Sequence, residues 1–162
     1  MSAEVLPSKN AVWRWMVLPL RRYARFTGRS GRREFWWFSA MQFAVYIVLG
    51  LGGFGAIIGP GFSNSGTGVD GIAGREIIGI VGIVGAGLFY IAMFVPTLAV
   101  TIRRLHDLGI SGWVAVPLYL AGWFLSFLGW IAYAVVMALP SQQKANQYGP
   151  PLGEDAVAKI FD

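Results

Sequence analysis

The sequence of 162 residues contains no cysteine, a single histidine and few charged residues. The lack of cysteine excludes disulfides, thiolate metal sites and cysteine nucleophiles. One histidine leaves no basis for a metal site, and we expect no other cofactor. Charged residues make up 13% of the chain and hydrophobic residues 56%, whereas an ordinary soluble domain has about 25% charged residues. The composition therefore predicts an integral membrane protein.

Three long runs of the sequence carry no Asp, Glu, Lys, Arg or His. They cover residues 35–69, 77–102 and 108–143, which are 35, 26 and 36 residues long. A helix needs about 20 apolar residues to cross a bilayer, and Gly59-Pro60-Gly61 ends the first run. The sequence therefore predicts an all-α, polytopic membrane protein with three transmembrane helices, near 35–58, 77–101 and 113–139.

The third apolar run allows two interpretations. As one tilted span over 113–139, it places the C-terminus on the side opposite to the N-terminus. Pro117, Gly122 and Gly129 also permit a kinked or re-entrant hairpin that returns the tail to the starting side. Because each half alone is too short to cross a bilayer, we favour the single span.

The chain divides into a basic leader at 1–34, a transmembrane domain at 35–139 and a polar tail at 140–162. In the leader, Val12, Trp13 and Met16 recur at helical spacing with arginines between them. This pattern predicts an amphipathic helix lying in the membrane interface, with a kink or a division at Pro19. A disordered basic leader is the alternative. The glycine-rich residues 59–74 are expected to form an external connector.

The distribution of Lys and Arg predicts the orientation of the chain. Residues 1–34 hold eight basic residues against two acids. The positive-inside rule then places the N-terminus and the loop at 103–112 in the cytoplasm, and three spans place the C-terminus in the periplasm. The same rule accounts for the net charge of +5, so we expect no nucleic-acid partner. Small residues at helix-packing intervals, such as Gly122 and Ser126, favour packing within the bundle over a homo-oligomer.

Two polar clusters lie at the predicted cytoplasmic edge. The N-terminal arginine motif covers residues 26–36, and the second arginine motif covers residues 103–113. Each combines arginines with one acid, Glu34 or Asp107, which gains most by pairing with an arginine. We therefore predict structural ion pairs between the motifs, with Glu34 contacting Arg103 or Arg104. Asp107 is expected to contact Arg29, Arg32 or Arg33.

With these motifs, the chain resembles bacterial inner-membrane proteins grouped as domain of unknown function 805. The resemblance rests on F-x-G-R-x-x-R-x-E-F-W at 26–36, on R-R-L-H-D at 103–107 and on a following S-G-W. In the tail it rests on N-x-Y-G-P, where Gln147 stands at the position of the family's arginine. The resemblance covers about residues 13–151. It implies a small multi-pass protein of the bacterial inner membrane and no established reaction.

The surplus of arginine gives the leading functional hypothesis. Two carboxylates cannot neutralise the cationic groups of the two motifs, and the excess is expected to bind anionic lipid or an acidic protein partner. The alternative is that these arginines only anchor the spans and set their orientation. The predicted anion-binding residues are Arg29, Arg32, Arg33, Arg103, Arg104 and His106.

Two other functions remain open on the sequence alone. A small oligomeric transporter or channel is consistent with the glycine-rich spans and the polar residue Gln42, although the spans lack charged coupling groups. A lipid-modifying enzyme would use His106 with Asp107 as its acid–base pair. Adjacent residues on a helix do not face each other, and no nucleophile motif accompanies them. We therefore predict a non-enzymatic protein without catalytic residues.

Overall fold

The structure, a computed structural model, describes residues 11–58 and 69–151, with side chains at 11–51 and 77–151. The regular secondary structure of these residues is helical, with no strand beyond an isolated bridge in the tail, which confirms the predicted all-α class. A short 3-10 turn at Gly112–Val114 precedes the fourth helix. The helices are α1 at Val12–Arg21, α2 at Arg32–Ile58, α3 at Val69–Asp107, α4 at Ala115–Phe124 and α5 at Phe127–Ala138.

Within residues 11–58 and 69–151, two helices are long and apolar enough to cross a membrane, over Arg32–Leu51 in α2 and Ile77–Asp107 in α3. They correspond to the first two predicted spans. Helix α3 begins at Val69, so the last residues of the predicted connector at 59–74 are helical, whereas 59–68 lie outside the described residues. Helix α3 also continues to Asp107, so the first half of the second arginine motif is helical and not part of a loop.

The end of α3 explains this difference. Gly109 has a φ of +75°, a conformation that glycine adopts without the steric cost paid by other residues. The Ile110 N–H donates to the Leu105 carbonyl at 2.9 Å, which is the long backbone bond of a Schellman C-cap. No residue between Thr101 and Asp107 breaks the helix, so the helix ends where the glycine allows the chain to turn.

The third apolar run forms two short helices, and the favoured single-span interpretation is wrong. Helices α4 and α5 pack against each other as a hairpin that turns at Leu125 and Ser126, where Ser126 has a φ of +50°. With 10 and 12 residues, the helices measure about 15 and 18 Å, against a hydrocarbon core of about 30 Å. Neither can cross it. The hairpin alternative is the fold observed, and three transmembrane helices are not.

Close packing of small residues holds the hairpin together. Gly122 and Gly129 are buried, and a Cβ on Gly122 would lie 3.1 Å from the Trp130 ring. A Cβ on Gly129 would overlap the carbonyl oxygen of Ala121 and lie 2.7 Å from the Gly122 nitrogen. The small residues predicted to mediate helix packing therefore act within the hairpin at Gly122, whereas Ser126 is exposed.

A cluster of three hydroxyl groups joins the hairpin to α3. Thr101 Oγ1 donates to the Thr97 carbonyl at 2.8 Å and lies 3.1 Å from the Tyr119 hydroxyl and 3.0 Å from the Tyr133 hydroxyl. Thr101 is fully buried. Because polar groups in an apolar environment need partners, this cluster fixes the register of α4 and α5 against α3.

The described chain forms two compact units, 40–94 and 11–39 with 95–151. In the first, the rings of Tyr46 and Phe89 pack edge to face with centroids 5.2 Å apart. The second contains α1, the hairpin, the tail and both arginine motifs. The described part of the leader contains one helix, α1, in which Pro19 is buried and which ends two residues later at Arg21. Residues 1–10 and 152–162 of the predicted leader and tail lie outside the described residues.

Substitution of Gly129 by alanine tests the hairpin. We expect Gly129→Ala to lower the free energy of unfolding by about 1–3 kcal/mol, the usual cost of overpacking a well-packed interface, because the added methyl meets backbone atoms that cannot rotate away. Gly87→Ala is the matched control, since a Cβ there has no neighbour within 4 Å. Thermal unfolding in a mild detergent measures both variants. Equal stability of the two contradicts the hairpin packing.

The side of the tail can be tested with single cysteines, because the chain has none of its own. We expect Ser65→Cys and Gln143→Cys to react with a membrane-impermeant maleimide from opposite faces of the membrane. The reason is that this topology would have α2 and α3 each cross once and the hairpin return to the side that it entered. Labelling of both cysteines from the same face contradicts this topology and restores the single span.

Candidate functional site

The two arginine motifs meet in the structure. The Ser30 N–H donates to the Arg103 carbonyl at 3.0 Å, which ties the N-terminal arginine motif to the last turns of α3. Gly28 has a φ of +90°, and this glycine lets the chain turn before α2 begins at Arg32. Backbone contacts therefore bring Arg29 and Glu34 next to the arginines and the acid of α3.

Asp107 lies at the centre of a buried ion network. Its Oδ1 accepts from Arg29 Nε at 2.9 Å and lies 2.8 Å from Arg29 Nη2, while its Oδ2 accepts from Arg104 Nη1. All three side chains are at least 99% buried. Charge-assisted hydrogen bonds of this kind are about twice as strong as neutral ones. Asp107 therefore joins the N-terminal arginine motif to α3.

Glu34 forms a second ionic contact between the motifs. Its Oε1 lies 3.0 Å from Arg103 Nη1, and its Oε2 accepts from Arg22 Nη1 at 3.2 Å. Arg22 caps the C-terminus of α1, so Glu34 connects three segments of the chain. The structure thus places Glu34 and Asp107, the two acids of the motifs, in ion pairs that cross from one motif to the other.

The C-terminal tail supplies the remaining acceptors for Arg29. Its guanidinium donates to the carbonyls of Gln142 at 2.5 Å, Lys144 at 3.0 Å and Gly149 at 3.4 Å. A guanidinium carries five N–H donors, and burial makes each unsatisfied donor costly. The tail therefore completes the site. Sequence reasoning missed this role, although the N-x-Y-G-P pattern marked the segment.

Arg104 is satisfied in the same way by the end of the hairpin. Its Nε donates to the Met137 carbonyl at 3.1 Å, its Nη2 to the Leu139 carbonyl and its Nη1 to Ser141 Oγ at 3.2 Å. Each of these acceptors lies in the last residues of α5 or directly after it. The hairpin must therefore return to this end of α3 for Arg104 to be buried.

His106 packs against the tail and does not pair with Asp107. Its ring stacks on Tyr148 with centroids 3.8 Å apart and an interplanar angle of 8°, and its Nδ1 donates to the Gly28 carbonyl at 3.3 Å. Asn146 donates from Nδ2 to the His106 carbonyl at 2.9 Å. Both oxygens of Asp107 contact guanidinium groups instead of the imidazole. The geometry gives His106 a packing role between the N-terminal arginine motif and the tail.

The six residues predicted to bind anions fall into two groups. Arg29, Arg103 and Arg104 are buried and bonded within the protein, and His106 is half-buried beneath Tyr148. Arg32 and Arg33 are exposed. Among the described side chains, Arg103 Nη2, Ser30 Oγ and Glu34 Oε1 are buried without a hydrogen-bond partner, although Glu34 Oε1 forms an ion pair with Arg103. The Arg103 end of the network is therefore less satisfied than the Asp107 end.

The family model described as "Protein of unknown function (DUF805)" matches residues 23–150. The chain belongs to this family. The match contains both arginine motifs and the tail as far as Pro150, and it begins ten residues later than the resemblance predicted, so α1 lies before it. The contacts of Arg29 with Asp107 and with the tail all fall within the matched residues.

Several relatives carry names that place them in a membrane. The chain is 30% identical over 136 residues to the inner membrane protein YhaI of Escherichia coli K12, covering 83% of this chain and 92% of the relative. It is 30% identical over 136 residues to the inner membrane protein YhaH of the same strain, covering 84% and 93%. No solved structure matches the chain. The family and the two apolar helices together support a protein of the bacterial inner membrane.

Removal of the charge on Asp107 tests the network. We expect Asp107→Asn to lower the free energy of unfolding by about 3–5 kcal/mol, because it leaves Arg29 and Arg104 buried without a carboxylate. Arg32→Gln is the matched control, since Arg32 is exposed and such changes cost about 0.5 kcal/mol or less. Thermal unfolding in detergent measures both. If Asp107→Asn loses as little stability as the control, then Arg29 and Arg104 do not depend on this carboxylate as a buried partner.

Proposed function

We propose that this is a non-enzymatic protein of the bacterial inner membrane whose exposed arginines bind the anionic cytoplasmic leaflet. In this orientation the leader, the end of α3 and the tail face the cytoplasm. Of the 13 Lys and Arg residues, Arg75 alone lies between the two candidate spans. With the hairpin, the tail lies on the same side as the N-terminal arginine motif. The excess of Lys and Arg on that side is therefore larger than it would be with three spans. The positive-inside rule supports this orientation.

The division of the arginines into buried and exposed groups carries the proposal. Arg29 and Arg104 contact the two oxygens of Asp107, and Arg103 and Arg22 contact the two oxygens of Glu34. Each carboxylate oxygen of these two acids thus already lies against one of these four guanidinium groups. We therefore assign lipid binding to the exposed arginines. The buried arginines hold together the segments that carry them. The exposed arginines of the described leader and of the start of α2 are Arg14, Arg21, Arg25, Arg32 and Arg33.

Aromatic side chains beside these arginines support a position at the membrane surface. Trp36 and Trp37 follow Arg32 and Arg33 in the first turns of α2, and both are exposed, as is Trp13 of α1. Tryptophan is enriched at the level of the lipid headgroups because its ring is apolar and its N–H is polar. Helix α1 is thus proposed to lie in the interface, with its arginines near lipid phosphates.

The contacts of His106 and Asp107 support a protein without catalytic residues. An acid–base pair needs the carboxylate to orient the imidazole, and here Asp107 is bonded to two arginines while His106 is stacked on Tyr148. A transport function also has little support from the structure. The described side chains of α2 and α3 at 40–51 and 77–94 include no Asp, Glu, Lys, Arg or His, and coupled transport usually depends on such groups.

Lipid selectivity tests the proposal. The purified protein is reconstituted with phosphatidylglycerol and phosphatidylcholine, and spin-labelled lipids measure its preference for the anionic lipid. We expect Arg32→Gln with Arg33→Gln to reduce this preference about tenfold or more at low salt, because each charge near an anionic surface contributes about 1 kcal/mol. The remaining leader arginines keep the orientation.

Arg75→Gln is the control for this experiment, because it removes an arginine that the proposed orientation places near the opposite face. We expect it to leave the preference unchanged. An unchanged preference in the double variant, together with normal insertion, means that Arg32 and Arg33 act only as topological anchors and contradicts lipid binding by the exposed arginines.

A further inference from the structure

Three buried side-chain atoms in the described part of the chain have no hydrogen-bond partner within the protein. They are Arg103 Nη2, Ser30 Oγ and Glu34 Oε1. A polar atom that is buried without a partner destabilises the fold, so each one in a native structure calls for an explanation. The three residues are at most 1% exposed. Bulk solvent therefore does not satisfy these atoms.

The three residues contact one another. The Ser30 N–H donates to the Arg103 carbonyl at 3.0 Å, and Arg103 Nη1 lies 3.0 Å from Glu34 Oε1. Glu34 follows Ser30 by four residues, in the first turn of α2. The unsatisfied atoms of the described side chains thus belong to one group of neighbours, Ser30, Glu34 and Arg103, which we call the Ser30 cluster.

The Asp107 end of the network shows that burial of arginine alone does not leave such atoms. Arg29 and Arg104 are as deeply buried as Arg103, yet carbonyls of the tail and of the end of α5 accept their N–H groups. Arg103 lacks this arrangement, because its Nε donates within α3 to the Ala99 carbonyl at 3.4 Å and its Nη2 donates to no described residue. The Ser30 cluster therefore needs a partner from outside the chain.

The chemistry of the three atoms limits what this partner can be. A guanidinium only donates hydrogen bonds, a carboxylate only accepts them and a hydroxyl does either. An anion would accept from Arg103 but has no proton to donate to Glu34, and a metal cation cannot accept from Arg103. The partner must donate and accept at once, and the low exposure of the cluster requires it to be small. Water meets both conditions.

We propose that the Ser30 cluster binds one ordered water molecule, which accepts from Arg103 Nη2, donates to Glu34 Oε1 and forms a third hydrogen bond with Ser30 Oγ. Buried waters typically form about three hydrogen bonds to groups that otherwise lack partners. The water gives the Ser30 side chain a role, because its hydroxyl holds the water where the two arginine motifs meet. This site is separate from the proposed function, since it requires neither lipid binding nor an orientation in the membrane.

Water-edited solid-state NMR of the full chain in bilayers, with nitrogen-labelled arginine, tests for the bound water. We expect magnetisation to pass from water to the Arg103 side chain and not to that of Arg29, whose guanidinium nitrogens all donate to protein acceptors. Arg32 is the positive control, because it is exposed. No transfer to Arg103 overturns the proposal. Transfer of equal strength to Arg29 also overturns it, because solvent would then enter the whole network and not one site.

Substitution of Ser30 by alanine is an independent test, because the sign of its effect depends on whether Oγ is bonded. Removal of an unbonded buried hydroxyl would raise the melting midpoint. With the water bound, we expect Ser30→Ala to lower the midpoint by about 2–4 °C, the shift for one ordinary hydrogen bond in a chain of this size. We also expect it to weaken the transfer from water to Arg103.

Ser39→Ala is the matched control, since Ser39 Oγ donates to the Phe35 carbonyl within α2 at 2.9 Å. We expect this variant to leave the transfer to Arg103 unchanged. An unchanged or raised midpoint for Ser30→Ala overturns the proposal. A lowered midpoint with unchanged transfer also overturns it, because the hydroxyl would then bond to the protein and not to the water. If Ser30→Ala does not fold, the comparison of Arg103 with Arg29 in the unsubstituted chain decides.

Discussion

One carboxylate, that of Asp107, holds three separate parts of the chain together. It is buried at the end of α3, where it accepts from Arg29 of the N-terminal arginine motif and from Arg104 of α3 itself. Taking these charges out of water costs several kcal/mol for each ion, and only dense pairing offsets it. Arg29 accordingly binds carbonyls of the tail, and Arg104 binds carbonyls at the end of α5. The positions of the tail and of the hairpin follow from these requirements.

The network contains more cations than anions, and this imbalance gives it a specific role. Four guanidinium groups contact Glu34 and Asp107, and peptide carbonyls receive further N–H groups of Arg29 and Arg104. Carbonyl dipoles are weaker partners than carboxylates, so a buried network of this composition is weak evidence for high stability. The network does restrict which segments can pack here, because each guanidinium needs acceptors in fixed directions. The network therefore determines which segments meet at this end of α3.

The sequence predicted the parts of the fold that depend on local chemistry. Charge-free runs identified α2 and α3, and lone acids among arginines indicated where Glu34 and Asp107 would pair. The hairpin was not predictable in this way, because residues 113–139 are apolar throughout and the turn at Ser126 depends on Gly129 packing on Ala121. Burial of Arg29 and Arg104 was missed for a related reason. Arginines that anchor a span and arginines that enter a core are the same residue type, and the tail carbonyls that distinguish them lie more than 30 residues away.

The distance along the chain between Arg29 and its tail acceptors affects biosynthesis. These hydrogen bonds join residues 113 to 120 positions apart. A ribosome that adds about 5–20 residues per second makes Gln142 on the order of ten seconds after Arg29. During that interval the guanidinium of Arg29 stays hydrated, and the burial of its charge waits for the tail. A nascent chain that stops before Gln142 keeps this arginine in water, so a hydrated charge beside the end of α3 distinguishes an unfinished chain from a finished one.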